Sequence, residues 1–412
     1  MKIQNALNVI YLISFTDLFA IGIIFPVLNT HLRSLGASHT LVGVFSSVYS
    51  GVQVLSGPVV GGWSDIKERK SVLVKVSLIC GLCYALLGVT DSLSFIFAIR
   101  IVLGCVKHIQ SICKAVIADI VPIENQTEAF GKSNAVSALG FILGPFIGGH
   151  LAEFENGFMY VGLLTMLLFF INIGLILCLP DVSNKKNDNH NTTEELEKNL
   201  FTQVIHELGK SAADMYTIDW NQFYEPFLLR FLFGLSVSTY FTNQSLLLKE
   251  TYLLTQKQIG YVISYFSTIG LFSSFFLDKI NGLYKSGDCL SRIFHFFIIL
   301  ALCILTIYIA PNLYILLVAL IPLSFSSTVL RVVTMELILA KTSGLHRGSL
   351  SGASNSVMSI SRFITPLLSG ILADKLGEHS VILVAVIPAI FGVFVSLRLK
   401  AMALSEKRVL TN

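Results

Sequence analysis

Charge is what this chain has least of. Asp, Glu, Lys and Arg together make up 13% of its 412 residues, where a soluble globular protein carries about 25%. No stretch is long and polar enough to fold as a separate soluble domain, so a soluble enzyme is excluded and no nucleic-acid partner is expected. Catalytic constellations are missing too. There is no HExxH, and no serine, cysteine or paired-aspartate arrangement stands out in the apolar runs, so no enzyme activity, cofactor or metal site is expected. The seven cysteines (Cys80, Cys83, Cys105, Cys113, Cys178, Cys289 and Cys303) lie in or at the ends of apolar segments. They read as small buried hydrophobes, not as a disulfide framework. Gly131-Lys132-Ser133 copies the end of a phosphate loop, but Gln126 stands where its first glycine is needed. An ATP-driven pump is therefore unsupported.

Apolar residues fill the space that charge leaves. They account for 54% of the chain, and the mean hydropathy is +0.74. Runs long enough to cross a bilayer as a helix, about 20 residues, fall near 7–30, 39–63, 71–90, 93–116, 132–152 and 156–180. A second set falls near 225–248, 257–279, 290–310, 312–337, 347–373 and 377–399. The expected fold is an all-α membrane protein with twelve transmembrane helices in two six-helix bundles. The domains are residues 1–180, a linker at 181–224, residues 225–400 and a tail at 401–412. The first run is too long for a signal-peptide core and reads as a retained span. The linker contains NKKNDNHN, expected to be disordered, and TEELEKNLFTQVIHEL, either a surface helix or a solvated tether.

Lys and Arg cluster in one set of loops, including Lys67, Arg69, Lys70, Lys132, Lys185, Lys186, Lys341 and Arg347. The opposite loops hold little beyond Arg33, Lys249, Lys257 and Lys375. By the positive-inside rule both termini and the linker are expected in the cytoplasm. Glycosylation of the sequons at Asn125, Asn191 and Asn243 is then not expected. The sequence carries no convincing sorting signal, which leaves the plasma membrane or an endomembrane organelle. The halves also repeat. Laying Pro366 on Pro145 puts Gly352-Ala353-Ser354-Asn355 on Gly131-Lys132-Ser133-Asn134, Gly370 on Gly149 and Asp374 on Glu153. Such a repeat is the signature of a secondary transporter built from two related bundles.

Charges inside spans cost about 2.5–3.5 kcal/mol each even on the mildest scale, so each is a functional candidate. Arg100, Lys107 and Lys114 are seven residues apart, which on a continuous helix forms a cationic stripe drifting about 20° per step. Depth separates them. At about 1.5 Å per residue, Asp17 lies about 12 Å into span 1 and Lys107 about 13 Å into span 4 from the same side. An ion pair between them would lower the cost of burying both. A proton on Asp17, or an anion competing for Lys107, would break it. His108 reads equally as a proton carrier or as a satisfied buried histidine, and Lys114 and Arg230 as snorkelling cations. Gly140, Gly144 and Gly148, with Pro145 among them, give the fifth span a smooth close-packing face.

After span two, Gly61, Asp65, Arg69 and Lys70 resemble the major facilitator superfamily signature at that place, a glycine, then aspartate, then paired basics. Ile66 and Glu68 depart from it. The resemblance implies that this loop steadies one conformation by pairing with the end of span four, where Asp119 sits. Gly61 reads as a site of close helix approach. Arg100 and Gly104 resemble the fourth-span RxxxG element. Gly140 to Gly149, GFILGPFIGG, is similar to the fifth-span motif of antiporter members, and the whole line from Asp119 to Pro145 resembles the tetracycline-resistance branch. Leu35-Gly36-Ala37-Ser38, Lys107-His108 and Phe141 to Pro145 resemble animal orphan carriers of the superfamily.

The resemblance further implies that spans 1, 4, 7 and 10 line a central cavity. They carry Asp17, then Arg100, Lys107, His108 and Lys114, then Arg230, Tyr240 and Asn243, then Arg331 and Glu336. Bases outnumber acids there, which favours an anionic or zwitterionic solute. The expected function is a carrier of a small organic solute working by alternating access with proton antiport. An uncoupled facilitator and a transport-inactive sensor or scaffold are the alternatives. The expected partners are the lipid bilayer, the solute and protons, with a monomeric chain.

Overall fold

A computed structural model describes residues 2–180, 220–284, 288–340 and 347–411. Every regular element among the described residues is helical, as apolar surroundings demand when no water is present to satisfy peptide groups. In chain order they are α1 (Lys2–Ser34), α2 (His39–Ile66), α3 (Arg69–Val89), α4 (Leu93–Val106), α5 (Ile109–Ile120), α6 (Ile123–Leu151) and α7 (Gly157–Leu177). Then follow α8 (Trp220–Glu250), α9 (Gln256–Phe275), α10 (Leu277–Gly282), α11 (Cys289–Ile309), α12 (Leu313–Ala340), α13 (Arg347–Leu376) and α14 (Glu378–Thr411).

Two expected spans are each made of two helices: α4 with α5, and α9 with α10. The set is thus twelve spans in fourteen helices, an all-α membrane protein. Nine spans are long and apolar enough to cross a membrane by length and composition among the described residues. The other three are α2, α8 and α9. Of the linker, residues 181–219 lie outside the described residues, as does Asn191, and 220–224 already belong to α8. At the other end α14 continues to Thr411, so 401–411 is helix.

Two compact units form. Unit 1 contains residues 1–37, 48–210 and 254–267, and unit 2 contains 38–47, 211–253 and 268–412. They do not coincide with the two halves of the chain, because the first turns of α2 pack in unit 2 and those of α9 in unit 1. In unit 1, α1 lies along α6 and α3 along α7. Glycines bring the backbones together. A Cβ on Gly144 would lie 2.6 Å from the Gly22 Cα, and one on Gly162 2.6 Å from the Gly88 Cα. In unit 2, α11 packs on α12 and α14, and α8 on α13 and α14.

Candidate functional site

The fourth span is broken where its most buried charge sits. Lys107 ends α4 with ψ 72°, and His108 precedes α5 at φ −126°, ψ 19°. The Lys107 N–H still bonds to the Leu103 carbonyl at 2.9 Å, but the His108 N–H turns to Val106 at 2.8 Å. The break frees carbonyls that lipid could not satisfy, and α2 supplies donors for two of them. Gln53 Nε2 donates to the Lys107 carbonyl at 3.0 Å, and Ser56 Oγ donates to the Gly104 carbonyl at 2.9 Å. No proline or glycine marks the break. It also ends the seven-residue stripe expected of a continuous helix: Lys107 is 7% exposed, whereas Lys114, in α5, is exposed.

Lys107 Nζ forms a salt bridge with Asp17 Oδ1 of α1, which has no exposed surface. The second Asp17 oxygen accepts from Gln110 Nε2 at 3.0 Å. The same Gln110 amide donates to the Ser14 carbonyl at 2.8 Å, and its oxygen accepts from Ser137 Oγ of α6 at 3.5 Å. These three partners fix which way the Gln110 amide faces. Among the described residues Asp17 is the one hydrogen-bond acceptor of the Lys107 ammonium, which also lies 5.5 Å over the Phe169 ring of α7. An ammonium has three donors, so two remain for another acceptor. The site is therefore a buried pair held on the Asp17 side by Gln110 and covered on the Lys107 side by Phe169. Any proton, anion or cation that enters it must compete with the partner already there.

His108 Nε2 is 2.8 Å from Ser56 Oγ. With the Ser56 hydroxyl proton directed to Gly104, this contact is made by the tautomer that carries its proton on Nε2. Arg100 lays its guanidinium 3.9 Å over the Tyr49 ring, and its buried Nε has no hydrogen-bond partner. Also in unit 1, both amide atoms of the fully buried Asn172 lack a hydrogen-bond partner.

The loop residues meet in unit 1 as well. Arg69 pairs with Asp119 at the end of α5, bonds Asp65 at 2.7 Å and donates to Ser64 Oγ at 3.0 Å. Lys70 Nζ donates to the Leu179 carbonyl at 2.8 Å. Gly61 corrects its own reading. A Cβ there would meet nothing within 4 Å, so it marks no close helix approach. In the fifth span, α6, Gly140, Gly144 and Gly148 all face the α1 backbone. Gly149 faces α9, where a Cβ would lie 2.7 Å from the Gln256 carbonyl. Pro145 sits between them, its carbonyl pressed against Gly260.

In unit 2, Arg331 is exposed, and its carbonyl accepts from Arg230 Nη1 at 2.5 Å. Arg230 also donates to Thr334 Oγ1 at 3.0 Å and is 6% exposed. It does not snorkel: it ties α8 to α12. Glu336 pairs with Arg292 at 2.7 Å and accepts from Cys289 Sγ at 3.1 Å. Arg292, which opens α11, is not among the residues that the sequence singles out. Gln53, Ser56 and Gln110 were omitted too, since uncharged polar residues in an apolar run give no depth or pairing signal. Asn243 is buried in α8 and donates to the Thr239 carbonyl of its own helix at 2.8 Å. Among the described residues no group of three or more His, Cys, Asp or Glu could hold a metal ion.

The sequence profile of the Major Facilitator Superfamily matches residues 9–307 and 226–409. A quinolone resistance protein NorA of Staphylococcus aureus is 24% identical over 372 residues, which are 89% of each chain. The class H tetracycline resistance protein of Pasteurella multocida is 27% identical over 244 residues, 53% of this chain and 60% of that relative. Among solved structures, the nucleoside transporter NupG aligns with a TM-score of 0.75 at 14% identity, over 97% of this chain and 99% of its own. The human organic anion transporter MFSD10 (TETRAN) aligns with a TM-score of 0.65 at 18% identity, over 96% and 100%. With that profile covering both halves of the sequence, the chain belongs to the Major Facilitator Superfamily, a family of membrane transporters.

Proposed function

We propose that the chain is a secondary transporter that moves a small organic anion or zwitterion by alternating access, coupled to proton antiport through Asp17 and Lys107. One observation carries this reading: a salt bridge with almost no exposed surface sits at a break in a membrane-spanning helix. Broken helices are where secondary transporters place their solute and ion sites. A proton on Asp17 and an anionic solute on Lys107 each break this pair, and antiport follows when only one of the two is bound at a time. The relatives, named for tetracycline and quinolone resistance and for organic anion and nucleoside transport, favour a small organic solute without choosing one. Both termini in the cytoplasm, a monomeric chain and the likeness to animal orphan carriers belong to the same proposal.

The test is uptake by the purified protein in liposomes, with a panel of organic anions, zwitterions and cations, with and without a pH gradient. Uptake of an anion or zwitterion, accelerated by the gradient and abolished by Lys107→Ala and Asp17→Asn, is the expected result. Unchanged uptake of every solute in both variants would overturn the reading. Uptake that ignores the gradient would remove the antiport step and leave a facilitator.

A further inference from the structure

The repeat builds two similar clamps, one in each unit, around the first turns of α2 and α9. In unit 1, the Pro145 carbonyl of α6 presses on Gly260, Gly149 lies against Gln256, and Glu153 accepts from the Lys257 N–H at 3.0 Å. In unit 2, the Pro366 carbonyl of α13 presses on Gly43 and Gly370 lies against His39. Asp374 accepts from the N–H groups of His39 and Thr40 at 2.9 and 2.8 Å. Pro145, Gly149 and Glu153 keep the spacing of Pro366, Gly370 and Asp374. Gln256, Lys257 and Gly260 keep the spacing of His39, Thr40 and Gly43. In each clamp an acid caps the exposed N–H groups of a helix N-terminus, where a negative charge is favoured.

The clamps differ most in charge at one of their positions. Where unit 1 has Gln256, unit 2 has His39, and carboxylates surround the ring. Its Nδ1 is 3.0 Å from Asp374 Oδ1, its Nε2 is 3.1 and 3.2 Å from the two Glu250 oxygens, and Glu378 lies 3.7 Å from Nε2. An ionised carboxylate only accepts, and a neutral imidazole donates from one nitrogen only. Both ring contacts hold together only when the cluster binds one further proton, on the ring or on one of its acids. The charged groups on the surrounding elements are Glu250 with Lys249 on α8, Asp374 with Lys375 on α13, and Glu378 on α14. Arg33 lies on the preceding turn, where it donates to the Ala37 carbonyl at 2.7 Å.

We propose that His39, with Asp374, Glu250 and Glu378, is a proton-binding site that latches the first turn of α2 to α13, while the matching position on α9 is Gln256, which carries no titratable group, the nearest histidine there being His150 against Tyr261. With the proton bound, the ring bridges α8 and α13 and holds His39 under its cap. Once the proton leaves, one of the two ring contacts sets a lone pair against a carboxylate, and the first turn of α2 is released. The proton site stands on its own geometry. That it biases which face of a carrier opens rests on the transporter reading above.

Hydrogen exchange of the full chain in nanodiscs tests it, in a His150→Gln background that removes the histidine facing Tyr261, with rates corrected for the intrinsic effect of pH and residues 256–267 as the internal reference. In the parent, opening of 38–47 relative to 256–267 should rise about tenfold for each pH unit between the proton affinities of the open and closed latch. His39→Gln, which copies the other clamp, should abolish that rise. Glu250→Gln, which keeps the ring and removes one acid, should move the step to lower pH. A pH step that survives unchanged in both variants, or that is absent from the parent, overturns the proposal. Exchange needs no transport. A latch that titrates in a protein that moves no solute would therefore count against the carrier reading alone.

Discussion

Gln53 of α2 donates to the backbone carbonyl of Lys107, the residue at which the fourth span breaks. That bond lets a helix interrupt itself at membrane depth without leaving the carbonyl bare. Gln53→Leu keeps the bulk and removes the donor. A stranded buried acceptor costs about 1–3 kcal/mol, so the variant should melt at a lower temperature than the parent. Equal thermal stability would mean that the break does not depend on α2.

Asp17 and Lys107 should behave as a unit. Removing either partner of a buried ion pair strands the other and costs about 3–5 kcal/mol. Asp17→Asn and Lys107→Met should each destabilise the protein strongly, and the double variant by clearly less than their sum. Thermal unfolding of the four proteins in one detergent gives the coupling. Additive losses would show that the two side chains are held independently.

The pairing of these two residues could be read from depth, because rise per residue is the same in every helix and both charges lay in apolar runs. Its surroundings could not. The interruption at Lys107 and His108 carries no proline or glycine, and the residues that satisfy it stand 52 and 54 positions away in sequence, at Ser56 and Gln53. The twelve-span pattern was legible because membrane helices declare themselves by length and apolarity. The exchange of first turns was not, since α2 and α9 look like ordinary spans and only contacts reveal which unit holds which end. Charge counting failed at Glu336 for a related reason. Its partner Arg292 comes from another helix, and a pair sums to zero however basic the local list looks.

Glycine content alone misleads in the same way, and two substitutions separate the cases. A Cβ at Gly148 would collide with the Ile23 backbone, whereas one at Gly61 would meet nothing within 4 Å. Gly148→Ala should cost about 1–3 kcal/mol through overpacking of α1 against α6. Gly61→Ala should lie within about 0.5 kcal/mol of the parent. Thermal melting of the two variants reads the difference, and a loss at Gly61 equal to that at Gly148 would contradict the open space beside it.

Arg69 lies between two acids of unequal standing. Asp119 reaches it from α5, fifty residues away, while Asp65 sits one turn before it and is 62% exposed. An ion pair with a largely exposed partner contributes only about 0–1 kcal/mol, so Asp65→Asn should leave stability nearly unchanged. Asp119→Asn removes the contact that ties the loop after α2 to the end of α5, and should raise exchange of the backbone amides at residues 64–70. Replacing Arg69 by Lys keeps the charge but loses the fork that reaches Asp119, Asp65 and Ser64 together. Arg69→Lys should therefore resemble Asp119→Asn. If it instead exchanged like the parent, charge alone would hold the loop, and the guanidinium geometry would be incidental.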